Sequence, residues 1–562
     1  MKLNACCIVA IGASLTLASC GKKLGQFSAD NFTLNPNPLE LVGENVPGQV
    51  TARVPAKFFL QNAEVTVTPY LVYNGTETAS QPYMFQGEKV RGNAPVVSYE
   101  YGGNFTIPVN FKFVPQMANS EVELAFNVTQ GKKQYVLPRV KVGEGVVATA
   151  DFANAATVQP AIAPDAFQRV INQKYAADIM FLINQANIRA NQLNTDAMVE
   201  LRKEILSTAN DTARMLEEIN IQSYASPEGA LSFNEKLAFQ REQNTQAYVQ
   251  SQLQKDKITE FGDLTAQFTA EDWEGFRKLV EKSNIQDKEL ILSVLSMYND
   301  PEQREREIRN LANVFEQLAD QILPQLRYSR ITASINVIGK SDAEISKLAL
   351  SDPKALTVDE LLYAATLTDD NNTRLKIYDT AVSQFPNDYR TWNDLGAAQY
   401  VDGDYDAAKA SFQKAATLAG DNKQPAMNLG LIDLLKGDYN KANQQFGAAA
   451  GVDELNDALG VYYLKTGDYA AAVRAFGNSK SNNAALAQIL TKDYSKAKQT
   501  LASIPTPDAT TYYLMAVLGA RTNNESMLNT NLRQAVRLDS ALATRARNDL
   551  EFQGFNLSKA LN

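Results

Sequence analysis

The chain has 562 residues, which at about 150 residues per domain suggests three or four folding units. Its 21% charged and 45% hydrophobic residues argue against disorder, a collagen-like fibre or a polytopic membrane protein, and a formal net charge of −9 gives no general attraction to nucleic acid. There is no histidine at all, which excludes Ser-His-Asp and Cys-His catalysis, the HExxH metal site and every zinc site that uses imidazole. No cofactor, no metal and no catalytic centre is expected, and no spacing of carboxylates or of a Ser-Lys pair singles out an enzyme.

At the amino terminus Lys2 precedes an apolar run, Ala5 to Leu17, that is too short to span a bilayer as a permanent helix. Leu17-Ala18-Ser19-Cys20 resembles the bacterial lipobox. That resemblance implies a lipoprotein signal peptide over 1–19 and a lipidated Cys20. Cys6 and Cys7 fall inside the removed segment, so no disulfide chemistry is expected. Some surface-exposed lipoproteins carry an acidic run after this cysteine. Here Gly21-Lys22-Lys23-Leu24 follows instead, and the expectation is an outer-membrane anchor on the periplasmic face, with lipid as the only membrane attachment.

Residues 26–147 read as a β-sandwich. Val65 to Tyr73 alternates and meets the turn signal Asn74-Gly75; Asn104 to Phe113 alternates again; Glu121 to Val128 and Tyr135 to Val142 bracket a hairpin turn at Gln130-Gly131-Lys132-Lys133. Residues 148–165, Ala-rich with Pro160 and Pro164, read as a linker.

Residues 165–345 change to a mixed α/β pattern. Strands are expected at Ile179–Ile183, Ile219–Tyr224 and Ile331–Ile338, and helices at Leu193–Ser207 and Leu237–Leu253. The segment Ile221 to Gly229, with Asn234, Leu237 and Arg241, resembles the OmpA-like peptidoglycan-associated domain, as does Phe181 to Ile188. The resemblance is interrupted by an insertion at about 257–328. In that family an Asp after the second strand and an Arg fifteen positions on grip the diaminopimelate of the stem peptide. A carboxylate holds its ammonium and a guanidinium forks onto its carboxylate. The resemblance puts Arg241 at the Arg position, on the first turn of a helix, and Ser226 at the Asp position. A hydroxyl cannot supply the missing charge, and Glu228 is the nearest group that could. Arg241 pairing with Glu228 or Glu235 on a solvated rim is the plainer alternative. The insertion's Arg304, Glu305, Arg306, Glu307 and Arg309 alternate in sign, as on an exposed helix face.

From 355 to 560 a period emerges. Gly403-Asp404-Tyr405, Gly437-Asp438-Tyr439, Gly467-Asp468-Tyr469 and Lys492-Asp493-Tyr494 mark the same point of four units. Trp392, Leu395-Gly396, Ala408, Phe412 and Ala415, repeated at Leu429-Gly430, Ala442, Phe446 and Ala449, resemble the tetratricopeptide (TPR) pattern. Small residues let helices pack closely and Gly403 and Gly437 turn the chain. The resemblance implies a superhelical array with a concave groove for partner proteins, and Asn393, Gln399, Asn428 and Asp433 are the groove candidates.

The chain is therefore expected to be a multidomain α+β protein: an N-terminal β-sandwich, a central OmpA-like domain with a helical insertion and a C-terminal TPR solenoid. Three functions fit. They are a non-catalytic envelope scaffold recruiting other envelope proteins through its TPR groove, a peptidoglycan tether, or an accessory subunit of an export, assembly or adhesion complex.

Overall fold

A computed structural model describes residues 24–285, 287–310 and 312–561. The expected signal peptide over 1–19 and the expected lipidation site Cys20 lie outside the described residues. The chain divides into two compact units, Met1–Pro164 with Asp370–Asn562, and Asp165–Asp369. The second is thus inserted into the sequence of the first.

The first unit opens with eleven strands: β1 (Phe32–Asn35), β2 (Leu39–Glu40), β3 (Asn45–Val54), β4 (Ala63–Tyr73), β5 (Thr76–Ala79), β6 (Tyr83–Gly87), β7 (Val96–Val97), β8 (Gly103–Lys112), β9 (Glu121–Gln130), β10 (Lys133–Glu144) and β11 (Val146–Val147). They form a sheet ordered β1-β3-β8 and a larger one ordered β10-β9-β4-β6-β7, with β5 beside β4; β2 and β11 pair in parallel. Alternation sets the inner face: Val65, Val67 and Leu71 of β4 join Val122, Leu124, Phe126 and Val128 of β9 and Ile107, Val109 and Phe111 of β8 in one core. Asn74 and Gly75 both take positive φ, 46° and 74°, the geometry a two-residue hairpin between β4 and β5 requires.

The second unit is a sheet ordered β12-β15-β13-β14, built from β12 (Val170–Met180), β13 (Arg214–Tyr224), β14 (Asp263–Thr269) and β15 (Tyr328–Ile338). Helices α1 (Asp196–Asn210) and α2 (Leu231–Lys255) follow β12 and β13. Met198, Leu201 and Ile205 of α1 and Val249 and Leu253 of α2 pack with Ile179, Ile219, Ile221, Ile331, Ala333 and Ile335 of the sheet. Two expectations are corrected. Residues 257–328 are not wholly an insertion, because β14 joins the sheet parallel to β13; its polar, weakly alternating sequence hid it. Arg241 lies in the third turn of α2, not the first, because the helix starts at Leu231 without a side-chain cap to mark it.

Helices α3 (Trp273–Lys282), α4 (Lys288–Met297), α5 (Pro301–Asn310) and α6 (Ala312–Gln321) make a small separate core around Phe276, Val280, Ile291, Ile308 and Leu323. The unit extends past residue 345 through α7 (Asp342–Ser351) and α8 (Val358–Thr366). They are tied back by a Phe167–Tyr363 ring stack at 4.3 Å and by Lys340 Nζ on Glu360 Oε1 at 3.0 Å.

The first unit resumes with α9 (Asn371–Gln384) and then five helix hairpins: α10 (Tyr389–Asp402) with α11 (Tyr405–Leu418), α12 (Gln424–Leu435) with α13 (Tyr439–Ala448), α14 (Leu455–Thr466) with α15 (Tyr469–Phe476), α16 (Asn482–Leu490) with α17 (Tyr494–Ala502), and α18 (Ala509–Arg521) with α19 (Glu525–Leu538). Two short helices, α20 (Ala541–Asn548) and α21 (Ser558–Leu561), follow. Each repeated Gly-Asp is a double cap. Gly403, Gly437 and Gly467 end the first helix of a pair in the left-handed region, where Lys492 stands in the fourth pair. The next residue, Asp404, Asp438, Asp468 or Asp493, accepts a backbone N–H of the second helix. Gly430 and Gly460 lie so close to the rings of Phe446 and Phe476 that a Cβ would sit 2.5 Å from each. The array resembles a TPR solenoid. Among the described residues no helix is long and apolar enough to cross a membrane.

The sandwich is fastened to the array inside this unit. Tyr439 Oη donates to Glu44 Oε1 at 2.7 Å and Tyr469 Oη to the Leu41 carbonyl at 2.8 Å.

Candidate functional site

The stretch read as a linker is a strap along the first helices of the array's hairpins, with 3-10 turns at Thr149–Phe152 and Ala155–Thr157. It runs from the last hairpin towards the first. Near its start Asp151 meets Arg545 at 3.2 Å, and Phe152 lies under the Arg545 guanidinium at 3.9 Å and against the Tyr513 ring at 4.9 Å. Asn483 then brackets the backbone of Asn154, its Oδ1 accepting the N–H at 2.9 Å and its Nδ2 donating to the C=O at 2.9 Å. Tyr400 Oη donates to the Ala155 carbonyl at 2.9 Å.

Asn428 does the same to Ala161, accepting its N–H at 2.7 Å and donating to its C=O at 2.8 Å, while Asn393 Nδ2 gives that carbonyl a second hydrogen bond at 2.9 Å. Asp394 Oδ1 accepts the N–H of Ala163 at 2.8 Å. The strap side chains facing the helices are small: Ala153, Ala155, Val158 and Ala161 are part of the array's own core, with Ala161 fully buried.

These contacts have a register. Asp394, Asn428, Ala458 and Asn483 each stand ten residues ahead of the capping Asp of their hairpin. The position faces inward in the first half of the first helix. Three of the four carry a side chain that binds backbone, and the fourth, Ala458, is part of the apolar core. A polar side chain here is buried, so it must be hydrogen-bonded, and the strap supplies the partners.

Of the four groove candidates, Asn393 and Asn428 contact the strap. Gln399 and Asp433 do not. Gln399 Oε1 accepts from Ser411 Oγ at 2.8 Å and so braces its own hairpin, whereas Asp433 meets Lys409 Nζ of α11 at 3.5 Å and so ties its hairpin to the preceding one. Residues 153–163, read from sequence as part of a linker, occupy the face that carries Asn393 and Asn428. Asp394, Tyr400 and Asn483 escaped the sequence reading, though the ten-residue offset from each Gly-Asp turn, or its Lys-Asp counterpart, would have found Asp394 and Asn483.

In the second unit, the residues after β13 form a closed polar cluster. Arg241 is fully buried. Its Nε donates to the Gln185 carbonyl at 3.0 Å, Nη1 to Tyr224 at 2.8 Å and Nη2 to Leu182 at 3.2 Å, and its Cζ lies 5.0 Å above the Phe181 ring. Burial lowers its pKa to about 10, assisted by the neighbouring Arg327 and opposed by Glu228. Glu228 does not pair with it. Glu228 Oε1 accepts from Arg327 Nη2 at 2.6 Å and from Ser226 Oγ at 2.8 Å, and Arg327 Nε also reaches Ser226 Oγ at 3.3 Å. Arg327, which follows the helical insertion, was not singled out from sequence. Glu305, expected on an exposed face, instead accepts the backbone N–H of Gly229 in the same loop. Glu271 beside it is pushed above the usual carboxylate range by burial, although Asn234 and Trp273 both donate to it.

No family model and no curated protein matches the chain. Solved structures similar to it include a tetratricopeptide repeat protein from Parabacteroides merdae, 13% identical over 51% of this chain and 100% of that one with a TM-score of 0.27. Yeast Tom70 is 12% identical over 63% and 83%, with a TM-score of 0.26. YrrB, a TPR protein with an unusual peptide-binding site, is 19% identical over 30% and 97%, with a TM-score of 0.24.

Proposed function

We propose that this chain is a non-catalytic scaffold of the bacterial cell envelope, lipidated at Cys20 and held at the periplasmic face of the outer membrane, which brings partner proteins to its TPR array. The observation that carries the reading is the inward face of the array, where the amides of Asn393, Asn428 and Asn483, on the first helices of the first, second and fourth hairpins, bind a peptide backbone. The lipid anchor rests on the lipobox resemblance and the scaffold role on the array.

In-cell crosslinking followed by mass spectrometry tests the proposal. Crosslinks from the array to other envelope proteins are expected, lost when the array is removed. Fractionation with soluble proteins after Cys20→Ala, against membrane fractionation of the unaltered chain, tests the anchor. Recovery of the unaltered chain free of any membrane would end that part of the proposal.

The peptidoglycan tether is the weaker reading. The OmpA-like resemblance is supported by a sheet with two helices and by Arg241 on the helix after the second strand. Its ligand grip is not, because Arg241 spends its donors on three backbone carbonyls and Glu228 is neutralised by Arg327. Cell-wall pulldown with the full chain should fail.

A further inference from the structure

We propose that this inward face of the array binds peptide segments of small, uncharged residues, and that residues 153–163 hold it as a built-in, exchangeable occupant. The inference rests on the partner-recruiting reading above and names the kind of partner segment.

The recognition is generic where it grips and selective where it encloses. Asn428 and Asn483 each satisfy one N–H and one C=O of a single strap residue, groups that every residue except proline offers. Selection comes from the inward positions. Ala153, Ala155, Ala161 and Ala163 are buried to within a few per cent and Val158 is the largest, so a charged or bulky side chain at these spacings has nowhere to go. Between Asn154 and Ala163 no strap side chain is charged. The occupant is therefore held by small apolar contacts and by backbone hydrogen bonds, most of them to neutral amides and the Tyr400 hydroxyl and one, from the Ala163 N–H, to the Asp394 carboxyl group, and a segment of like pattern would make the same set.

The strap also has an accessible end. Ile162 is 45% exposed, and with Pro164 it borders an open crevice of about 400 Å³ lined by Asp421, Lys423, Asp453 and Glu454. An incoming segment can seat there before residues 153–161 leave. Because the strap is covalently attached, its effective concentration is of millimolar order, so a competitor succeeds only with high local concentration or a second contact.

The test uses the full chain and a fluorescent peptide with the sequence of residues 150–164. The unaltered chain should bind it weakly. Ala161→Arg, whose strap cannot seat, should bind it at least about tenfold more tightly, and adding Asn428→Ala with Asn483→Ala should remove that gain. Equal binding by the unaltered chain and Ala161→Arg, or no binding by an Ala161→Arg protein whose helical melt is intact, overturns the proposal. Should Ala161→Arg not fold, hydrogen exchange on the unaltered chain decides. The amides of Ala161 and Ala163 should exchange well ahead of the core amides of α12, and exchange of both only with α12 would show a strap that never leaves. If the peptide fails while envelope crosslinks to the array persist, this inference falls and the scaffold reading stands.

Discussion

At Asn428 the chain is held by a neutral amide; at Arg241 it is held by a fully buried guanidinium. Both places carry a candidate recognition residue, and both are occupied by the chain itself. The difference lies in what leaving would cost. The Ala161 backbone can trade its hydrogen bonds with Asn428 for equivalent bonds to water, and another peptide can take its place at little net change. Arg241 cannot release the carbonyls of Leu182, Gln185 and Tyr224 without leaving a bare buried charge and three unsatisfied acceptors. A neutral backbone-reading site can be self-occupied and still exchange, whereas a buried charged site that is self-occupied becomes part of the fold.

The largest effect should therefore come from Arg241. Arg241→Met strands three carbonyls in a fully buried place and should destabilise the second unit by about 3–5 kcal/mol, read as a shift in its urea midpoint. An unchanged midpoint together with lost affinity for purified cell wall would reverse the comparison, making Arg241 a ligand residue. Next is the Glu228–Arg327 pair, whose side chains are 14% and 11% exposed. Glu228→Gln leaves Arg327 without its carboxylate and should cost about 2–3 kcal/mol, while Glu228→Gln with Arg327→Met should cost less than the two single changes together. Strict additivity would mean that the pair is not coupled.

On the neutral side the expected effect is smaller. Asn428→Ala removes the hydrogen bonds to Ala161 and one to Asn393, and should lower the stability of the first unit by about 1–2 kcal/mol. The sharper readout is proteolysis. Cleavage between residues 153 and 164 should speed up in Asn428→Ala while the helices stay resistant. Helices and strap becoming sensitive together would mean that the strap is as integral as Arg241.

How much of this was legible in sequence follows from how local each signal is. The Gly-Asp turns announced themselves because one residue ends a helix and the next starts another, and a short motif contains the whole requirement. The β4–β5 hairpin was equally plain, with Asn74-Gly75 supplying both positive-φ residues. The strap was not legible. Its alanines and prolines have no period and no partner nearby in sequence, and the residue that binds Ala161 is Asn428, 267 positions away. Arg327 was hidden for the same reason: its ion pair with Glu228 spans 99 residues. β14 was missed because Asp263-Leu264-Thr265-Ala266-Gln267-Phe268-Thr269 has only partly buried or exposed side chains, so the alternation that marks a half-buried strand is weak.

The smallest effect separates charged from neutral contacts within one interface, between the sandwich and the array. Hydrogen bonds from Lys112 and then Tyr439 hold the Glu44 carboxyl below its ordinary 4.5. A lowered carboxyl pKa stabilises the folded state above the unfolded value, and that contribution is lost as the pH falls through the folded one. Glu44 is 41% exposed, so solvent screening leaves the contribution at about 0.5 kcal/mol. Tyr439→Phe should therefore cost most above about pH 5 and progressively less in more acid solution. Tyr469→Phe, which removes a hydrogen bond to the Leu41 carbonyl, should cost the same at every pH over that range because neither group titrates there. Thermal melts of the two variants between about pH 3 and pH 7 make the measurement, and parallel pH profiles would show that Glu44 plays no part in holding the sandwich to the array.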